Sequence, residues 1–153
     1  MAAWTSPRTI WPVSWPRPGV LTVLDTNVLI SVLLFRGTMV GVHRAILEGR
    51  LLPLVTAPVV EEYLRVLAYP KFKLSKRELR YLLEEEIQPW FHRISENVPT
   101  DTWIPEDPSD DHFVNAARVR PGTHLISGDA HILQARERLP VSVLTARELL
   151  DRL

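Results

Sequence analysis

The chain has 153 residues, of which 46% are hydrophobic and 24% charged, and its formal net charge at pH 7 is zero. This composition is typical of one soluble globular domain that is long enough to bury a substantial core. No cysteine is present, which excludes disulfide bonds, zinc–thiolate sites and thiol nucleophiles. A neutral chain also lacks the broad basic surface that is usual in proteins that bind nucleic acid without sequence preference.

The first 19 residues differ from the rest of the chain because prolines and tryptophans interrupt every regular pattern. Trp4, Trp11 and Trp15 lie here among several prolines, a composition that disfavours both helices and strands. The stretch lacks the pattern of a secretory signal, and no apolar run in the chain reaches the ~18 residues of a membrane span. We predict an N-terminal extension over 1–19, a folded domain over 20–153 and a cytoplasmic location without membrane contact. The extension is either an arm whose tryptophans pack on the domain or a partner, or sequence upstream of a true translation start near Val20.

The folded domain begins with a short apolar run that is followed directly by polar residues. The run Val20–Leu24 is rich in β-branched residues and suits a buried parallel strand. Thr26 and Asn27 are good N-cap residues, so we predict a strand, a tight turn and a helix. Asp25 then lies at the carboxyl end of a central strand, where open α/β sheets place their ligand sites. The pattern leaves two roles open for Asp25: it holds a cation, or it only caps the helix.

Strands and helices alternate along the remaining chain, which predicts a three-layer α/β/α sandwich with a mainly parallel central sheet. In the helix that starts near Val40 we expect Val40, His43, Ile46 and Leu47 to share the buried face. Further strands are predicted at 52–56, 90–94, 124–127 and 141–144. Further helices are predicted at about 58–68, 75–87, 110–120, 129–138 and 145–152.

Acidic residues recur just after the predicted strands or in the helices that follow them. The carboxyl ends of parallel strands meet at one edge of a sheet, so these side chains are expected to lie together. Crowded carboxylates repel one another, and a hard divalent cation such as Mg²⁺ or Mn²⁺ removes that repulsion. Such an ion activates water for attack on a phosphoryl group without a general-base histidine. The acidic residues are Asp25, Glu61, Glu62, Asp110, Asp111 and Asp129.

Four segments of the chain resemble the motifs of the PIN-domain family of metal-dependent ribonucleases. The resemblance runs from residue 20 to the C-terminus and is nearest to the branch of toxin components of toxin–antitoxin pairs. Ser127 stands where the family more often has threonine, and either hydroxyl could serve. The segments are LDTNVLI at 24–30, EYLRVL at 62–67 with PKF at 70–72, PSDDHF at 108–113, and ISGD at 126–129.

The resemblance implies an endoribonuclease that cleaves single-stranded or looped RNA with Mg²⁺ or Mn²⁺. It also implies a homodimer and an antitoxin protein as partner. Helical periodicity does not choose between Glu61 and Glu62, and the resemblance chooses Glu62. The implied metal ligands and catalytic residues are Asp25, Glu62, Asp110 and Asp129. The implied supporting residues are Asn27, Asp111 and Ser127.

A local basic cluster is the candidate RNA-contacting surface of this otherwise neutral chain. Such contacts to phosphates would make binding fall with salt. The other interpretation of the cluster is an ordinary solvated helix start. Its members are Lys71, Lys73, Lys76, Arg77 and Arg80.

Two other functions compete with the nuclease hypothesis. Phosphotransfer through Asp25 as nucleophile would want a second aspartate two residues on, and Asn27 stands there. A PIN scaffold that binds RNA or protein without cleavage would be favoured by loss of an acidic ligand, yet all four are present. His112 adjoins the acidic positions, and both substrate contact and no functional role remain open for it.

Overall fold

The protein is described by a computed structural model that covers residues 19–35, 37 and 39–153. The predicted extension therefore lies, apart from Gly19, outside the described residues. The strands are β1 Val20–Leu24, β2 Leu51–Val55, β3 His92–Arg93, β4 His124–Ile126 and β5 Ser142–Leu144. The α-helices are α1 Thr26–Leu34, α2 Val40–Leu47, α3 Ala57–Leu67, α4 Lys76–Tyr81, α5 Asp111–Arg118, α6 Ala130–Ala135 and α7 Ala146–Asp151. A π-helical segment, Leu82–Ile87, continues α4, and 3₁₀ turns cover Pro70–Phe72, Pro108–Asp110 and Arg136–Arg138.

The five described strands form one sheet in the order β3-β2-β1-β4-β5, and every pairing is parallel. This confirms the predicted fold class. The chain adds β2 and β3 on one side of β1 and then returns to add β4 and β5 on the other. The strand order therefore reverses between β1 and β4, and open α/β sheets bind ligands in the crevice outside such a switch point.

The sheet is buried because apolar helices cover it. Val23, Leu24, Leu125 and Ile126 of the two central strands have no exposed surface, as expected for parallel strands that are covered on both faces. Capping boxes at Ser75 and Thr145 start α4 and α7 where the sequence predicts them. None of the helices in the described ranges is both long and apolar enough to cross a membrane.

The predicted buried face of α2 is confirmed only for Ile46. Val40 and Leu47 are 48% and 43% exposed, whereas Val42, Ala45 and Ile46 are buried. The helix packs on β2 and α7, and its Gly41 lies so near α7 that an added Cβ would be 3.3 Å from Leu150 Cδ1. Apolar residues occupy most of the circumference of α2, so its packing on β2, α1 and α7 decides which of them are covered. The predicted core residue His43 is only partly buried, with Nε2 3.6 Å from Glu86 Oε2.

The strand predicted at 90–94 is shorter than expected. Only His92 and Arg93 pair with β2, while Phe91 and Ile94 on either side pack into the core. The apolar run at this position therefore reflects burial more than strand length, because an edge strand keeps only the pairs that its single neighbour provides.

Candidate active site

The switch point between β1 and β4 brings Asp25 and Asp129 to the same edge of the sheet. The two strands are in register with Leu24 opposite Ile126, and the Asp25 N–H donates to the Ile126 carbonyl at 3.0 Å. Asp25 therefore follows β1 at the level where the chain leaves β4 toward Asp129. Long-range strand pairing, rather than local sequence, places these two carboxylates together.

Asp25 is almost fully buried and accepts hydrogen bonds at both carboxylate oxygens. Its Oδ1 accepts from the Val28 N–H at 2.8 Å and caps α1, while its Oδ2 accepts from the Ser127 hydroxyl. Thr26 and Asn27 were predicted as N-caps of α1, and this is wrong. The N-cap is Asp25, which has the extended conformation that an N-cap adopts. Burial raises the pKa of Asp25, the bonds to Ser127 and Val28 oppose this, and the nearby Asp129 raises it further.

Ser127 connects the two aspartates at the switch point. Its hydroxyl donates to Asp25 and accepts from the Asp129 N–H at 3.0 Å. Asp129 caps α6, with Oδ1 accepting from the N–H groups of His131 at 2.9 Å and Ile132 at 3.2 Å. Ser127 thus contacts Asp25 directly, and the supporting role that the motif resemblance implies for it stays a prediction.

Glu62 lies inside the cleft, whereas its neighbour Glu61 is exposed to solvent. The Thr26 hydroxyl donates to Glu62 Oε2. On the other oxygen, Oε1 is 3.4 Å from His112 Nε2 and 3.5 Å from Arg65 Nη2. Burial lowers the pKa of His112, although the nearby Glu62 opposes this. The packing of α3 therefore distinguishes two glutamates that helical periodicity could not separate.

Asp110 has the most perturbed environment of the four predicted ligands. It ends the 3₁₀ turn before α5, and no protein donor reaches its buried Oδ2, although its carboxyl group and that of Asp107 are close enough to share a proton. Burial raises its pKa to about 7, and the charges of Asp107, Asp129 and Glu62 contribute to the increase. Asp110 therefore lies close enough to Asp107, Asp129 and Glu62 for their charges to act on its carboxyl group.

The four predicted ligands line one cleft of about 320 Å³. Other side chains of its wall include Asn27, Arg65, Tyr69, Lys71 and Asp107. Of the predicted basic cluster, only Lys71 lines this cleft; the neighbouring cation Arg65 was not singled out by the sequence pattern. Lys73, Lys76 and Arg77 are exposed outside it.

Asp111 does not support the cleft as the resemblance implied. Its Oδ1 accepts from the N–H groups of Trp103 at 3.0 Å and Ile104 at 2.8 Å, so it fixes the long loop before α5. It also lines a separate cavity of about 440 Å³, beside Thr56 and Ile94, which none of the four predicted ligands enters. Adjacent residues at a helix start point in different directions, and this separates Asp110 from Asp111.

Two further residues of the site were missed or misassigned by sequence reasoning. Thr26, predicted as a cap, instead contacts Glu62. The fully buried Tyr63 donates its hydroxyl to the Leu24 carbonyl at 2.5 Å and so joins α3 to the end of β1. Burial raises the pKa of Tyr63 well above its ordinary value, with smaller effects from Asp25 and Glu62. A tyrosine on an otherwise apolar helix face was the available signal, since a buried phenol needs a partner.

The donor set fits a hard divalent cation. All four predicted ligands are carboxylates, and no protein donor reaches the buried Asp110 Oδ2, which is the condition that a cation would relieve. Within the described residues, no group of three or more acidic or imidazole side chains is placed so that it could hold a metal ion together. Mg²⁺ usually keeps several waters and binds only one or two protein carboxylates, so the cleft fits a partly hydrated ion.

Comparison with known proteins agrees with the predicted family. A protein-family model described as the PIN domain matches residues 22–131, a segment that contains all four predicted ligands. Among solved structures, the chain is similar to the PIN domain endonuclease Utp24, with 20% identity, coverage of 82% of this chain and 84% of that chain, and a TM-score of 0.48. No curated protein sequence matches the chain. Because the family model covers well over half of its length, the chain belongs to the PIN domain family.

Proposed function

We propose that this protein is a metal-dependent endoribonuclease that hydrolyses RNA phosphodiester bonds with Mg²⁺ or Mn²⁺ in the acidic cleft. PIN domain nucleases hydrolyse nucleic acids. We propose in addition that this protein needs a metal ion and that its substrate is RNA. The observation that carries it is the buried Oδ2 of Asp110, which no protein donor reaches, in a cleft with four more carboxylates. Such a group is costly to keep unless a cation or proton occupies it.

Each residue of the cleft has a distinct task in this proposal. When bound, the cation supplies an activated water and stabilises negative charge on the phosphoryl group. Ser127 and Thr26 hold the carboxylates of Asp25 and Glu62 in place through their hydroxyls. Arg65 and Lys71 on the wall attract the phosphate backbone. The residues that would hold the ion are Asp25, Glu62, Asp110 and Asp129.

Metal dependence is the direct test of this function. We expect cleavage of a labelled single-stranded RNA in Mn²⁺ or Mg²⁺ and none in excess chelator. Mn²⁺ should also raise the melting temperature, because a ligand at 100 times its Kd stabilises the folded state by about 2.7 kcal/mol. Cleavage that persists in chelator contradicts the proposal.

Thr26 is expected to act as a positioning residue for Glu62. Thr26→Val removes the hydroxyl that donates to Glu62 while keeping the shape of the side chain. We expect kcat for RNA to fall by about tenfold or more, since loss of a group that positions a metal ligand typically costs that much. Thr26→Ser, which keeps the hydroxyl, should retain most activity. Unchanged kcat and Mn²⁺ affinity in Thr26→Val would show that the contact has only a structural role.

A catalytically silent scaffold that binds RNA or protein is the second candidate. One observation favours it: Asp25 and Asp129 each use a carboxylate oxygen to cap a helix, and this role needs no metal. The two functions differ in a Mn²⁺ titration followed by thermal melting. A scaffold should show neither Mn²⁺ stabilisation nor cleavage, whereas the nuclease should show both.

The remaining proposals come from the resemblance to toxin components. We propose a cytoplasmic protein that forms a homodimer and is inhibited by an antitoxin protein. Light scattering on the purified protein measures the oligomeric state, and induced expression with and without a candidate antitoxin measures toxicity.

We also propose RNA contact by Lys71, Lys73, Lys76 and Arg77. Charge reversal there should weaken RNA binding and reduce its salt dependence.

A further inference from the structure

Exposed aromatic side chains lie beside the acidic cleft, and we propose that they stack on the unpaired bases of a single-stranded RNA substrate. We call Phe35, Tyr69 and Phe72 the aromatic ledge. The inference rests on the proposed function in naming the substrate, but it concerns binding and can be tested without cleavage.

The aromatic ledge begins at the wall of the cleft and continues away from it. Tyr69 follows α3, is 44% exposed and lines the cleft together with Lys71. The next aromatic residue, Phe72, closes the 3₁₀ turn. Its ring centroid is 6.3 Å from that of Phe35, with the planes at 48°. Phe35 ends α1 and is 62% exposed. Tyr69 thus lies at the cleft, and the pair of Phe72 and Phe35 lies beside it at the surface next to α1.

Ring exposure at this position is unusual for side chains of this kind. Phenylalanine and tyrosine normally bury most of their surface. Single exposed apolar residues are common, but two exposed rings near one cleft, Tyr69 at its wall and Phe35 against the partly buried Phe72, indicate a binding surface. Aromatic rings stack on nucleobases without regard to base identity, because every base has a π-face. Only unpaired bases can present that face, which selects a single strand or loop over a duplex.

Positive charge accompanies the rings and favours nucleic acid as the occupant. Lys71 Nζ lies 5.1 Å from the centroid of Phe72, and the Arg65 side chain on the cleft wall is 63% exposed. The next residue along from Phe72, Lys73, is also exposed. A strand whose scissile phosphate lies in the cleft would carry its neighbouring phosphates past these cations while its bases meet the rings. This charge pattern suits a polyanion better than an apolar protein segment.

The test measures binding of a labelled single-stranded RNA and of the same strand in a duplex, by fluorescence anisotropy with Mn²⁺ present. Asp25→Asn serves as the background to prevent cleavage. In that background, Tyr69→Leu and Phe35→Ala should each weaken single-strand binding by about tenfold, with no change for the duplex. Tyr69→Phe should bind normally because the ring is kept. The matched control is Tyr81→Ala, which removes a 57% exposed ring that does not line the cleft.

Salt dependence separates the cations from the rings. Lys71→Gln should reduce the slope of log K against log salt by about 0.7, the value for one phosphate contact on a single strand. Tyr69→Leu should leave the slope unchanged. Equal affinity for single strand and duplex, or unchanged single-strand affinity in Tyr69→Leu and Phe35→Ala, overturns the inference. So does a loss of self-association in these variants with RNA binding intact, since the surface would then belong to a protein interface.

Failure of this inference is distinguishable from failure of the proposed function. If the wild-type protein cuts RNA and the Tyr69→Leu and Phe35→Ala variants cut it with the same KM, the proposed function stands and the inference is overturned. A wild-type protein that binds single strands through the aromatic ledge but cuts no RNA supports the inference and overturns the function.

Discussion

Asp25→Asn is expected to abolish RNA cleavage while leaving the metal-free protein as stable as the wild type or more stable. The substitution removes one charge from carboxylates that repel one another, and burial already disfavours the charged form of Asp25. Asparagine can still accept from the Val28 N–H, so the cap of α1 is kept. Ser127 can accept a hydrogen bond from the new amide. We therefore expect the Asp25→Asn variant to fold but not to cleave RNA.

The expected loss of cleavage is at least about a hundredfold, since even groups that only orient metal ligands cost up to that much when they are removed. Asp110→Asn, Asp129→Asn and Glu62→Gln should behave in the same way. Glu61→Gln is the matched control, because Glu61 is the exposed neighbour on the same helix. The measurements are cleavage rates and thermal melts with and without Mn²⁺. Wild type should gain stability from Mn²⁺, and the four variants should gain less.

Two results would contradict this prediction. Cleavage that survives Asp25→Asn would show that Asp25 acts only as a helix cap. Equal loss in Glu61→Gln and Glu62→Gln would show that the cleft geometry does not decide activity. A variant that fails to melt cooperatively is uninformative about chemistry, and Asp129→Asn, which keeps its own cap on α6, then gives the same test at a second position.

The metal-free wild-type protein is expected to lose stability as the pH rises from about 4 to 7, through the titration of Asp110. Its folded-state pKa is raised from 3.8 to about 7, so over this range the unfolded state has released a proton that the folded state keeps. Stability falls with pH wherever the folded state binds more protons. Asp110 is half-buried and solvent screens its charge, so we expect a change on the order of 1 kcal/mol.

The difference between wild type and Asp110→Asn isolates this effect from all other titrations. Denaturant unfolding at several pH values, without metal, should show the two free energies of unfolding diverging in favour of the variant as pH rises toward 7. Mn²⁺ affinity of the wild type should fall as the pH drops below 7, because a proton competes for the Asp110 carboxylate. Parallel pH curves for the two proteins would contradict the assigned environment of Asp110. Glu61→Gln again supplies the surface control.

Local sequence determined the order of elements and the position of the acidic residues along the chain. The β-branched run before Asp25 predicted a buried strand, and the capping boxes at Ser75 and Thr145 predicted two helix starts that the structure contains. Each of these signals acts within one turn or one strand, so no distant contact is needed to read it. Alternation of such elements then predicted the parallel sheet, because short apolar strands separated by helices must cross over to pair.

Tertiary structure alone decided which side chains meet. Which face of α2 is buried depends on its packing against β2, α1 and α7, and the choice between Glu61 and Glu62 depends on how α3 packs beside α1. Asp111 was separated from Asp110 by its bonds to the loop at Trp103. Tertiary structure also decided that the hydroxyls of Thr26 and Ser127 contact the carboxylates of Glu62 and Asp25.

The contacts that build the cleft span long stretches of chain. Thr26 reaches Glu62 across 36 positions, and Ser127 reaches Asp25 across 102. Periodicity and capping rules describe neighbours within a few residues, whereas these pairs exist only after β1, β4 and α3 have assembled. The sequence by itself therefore determined the kinds of residue and the sheet edge where they gather, and only the packed fold decided which oxygen faces which partner.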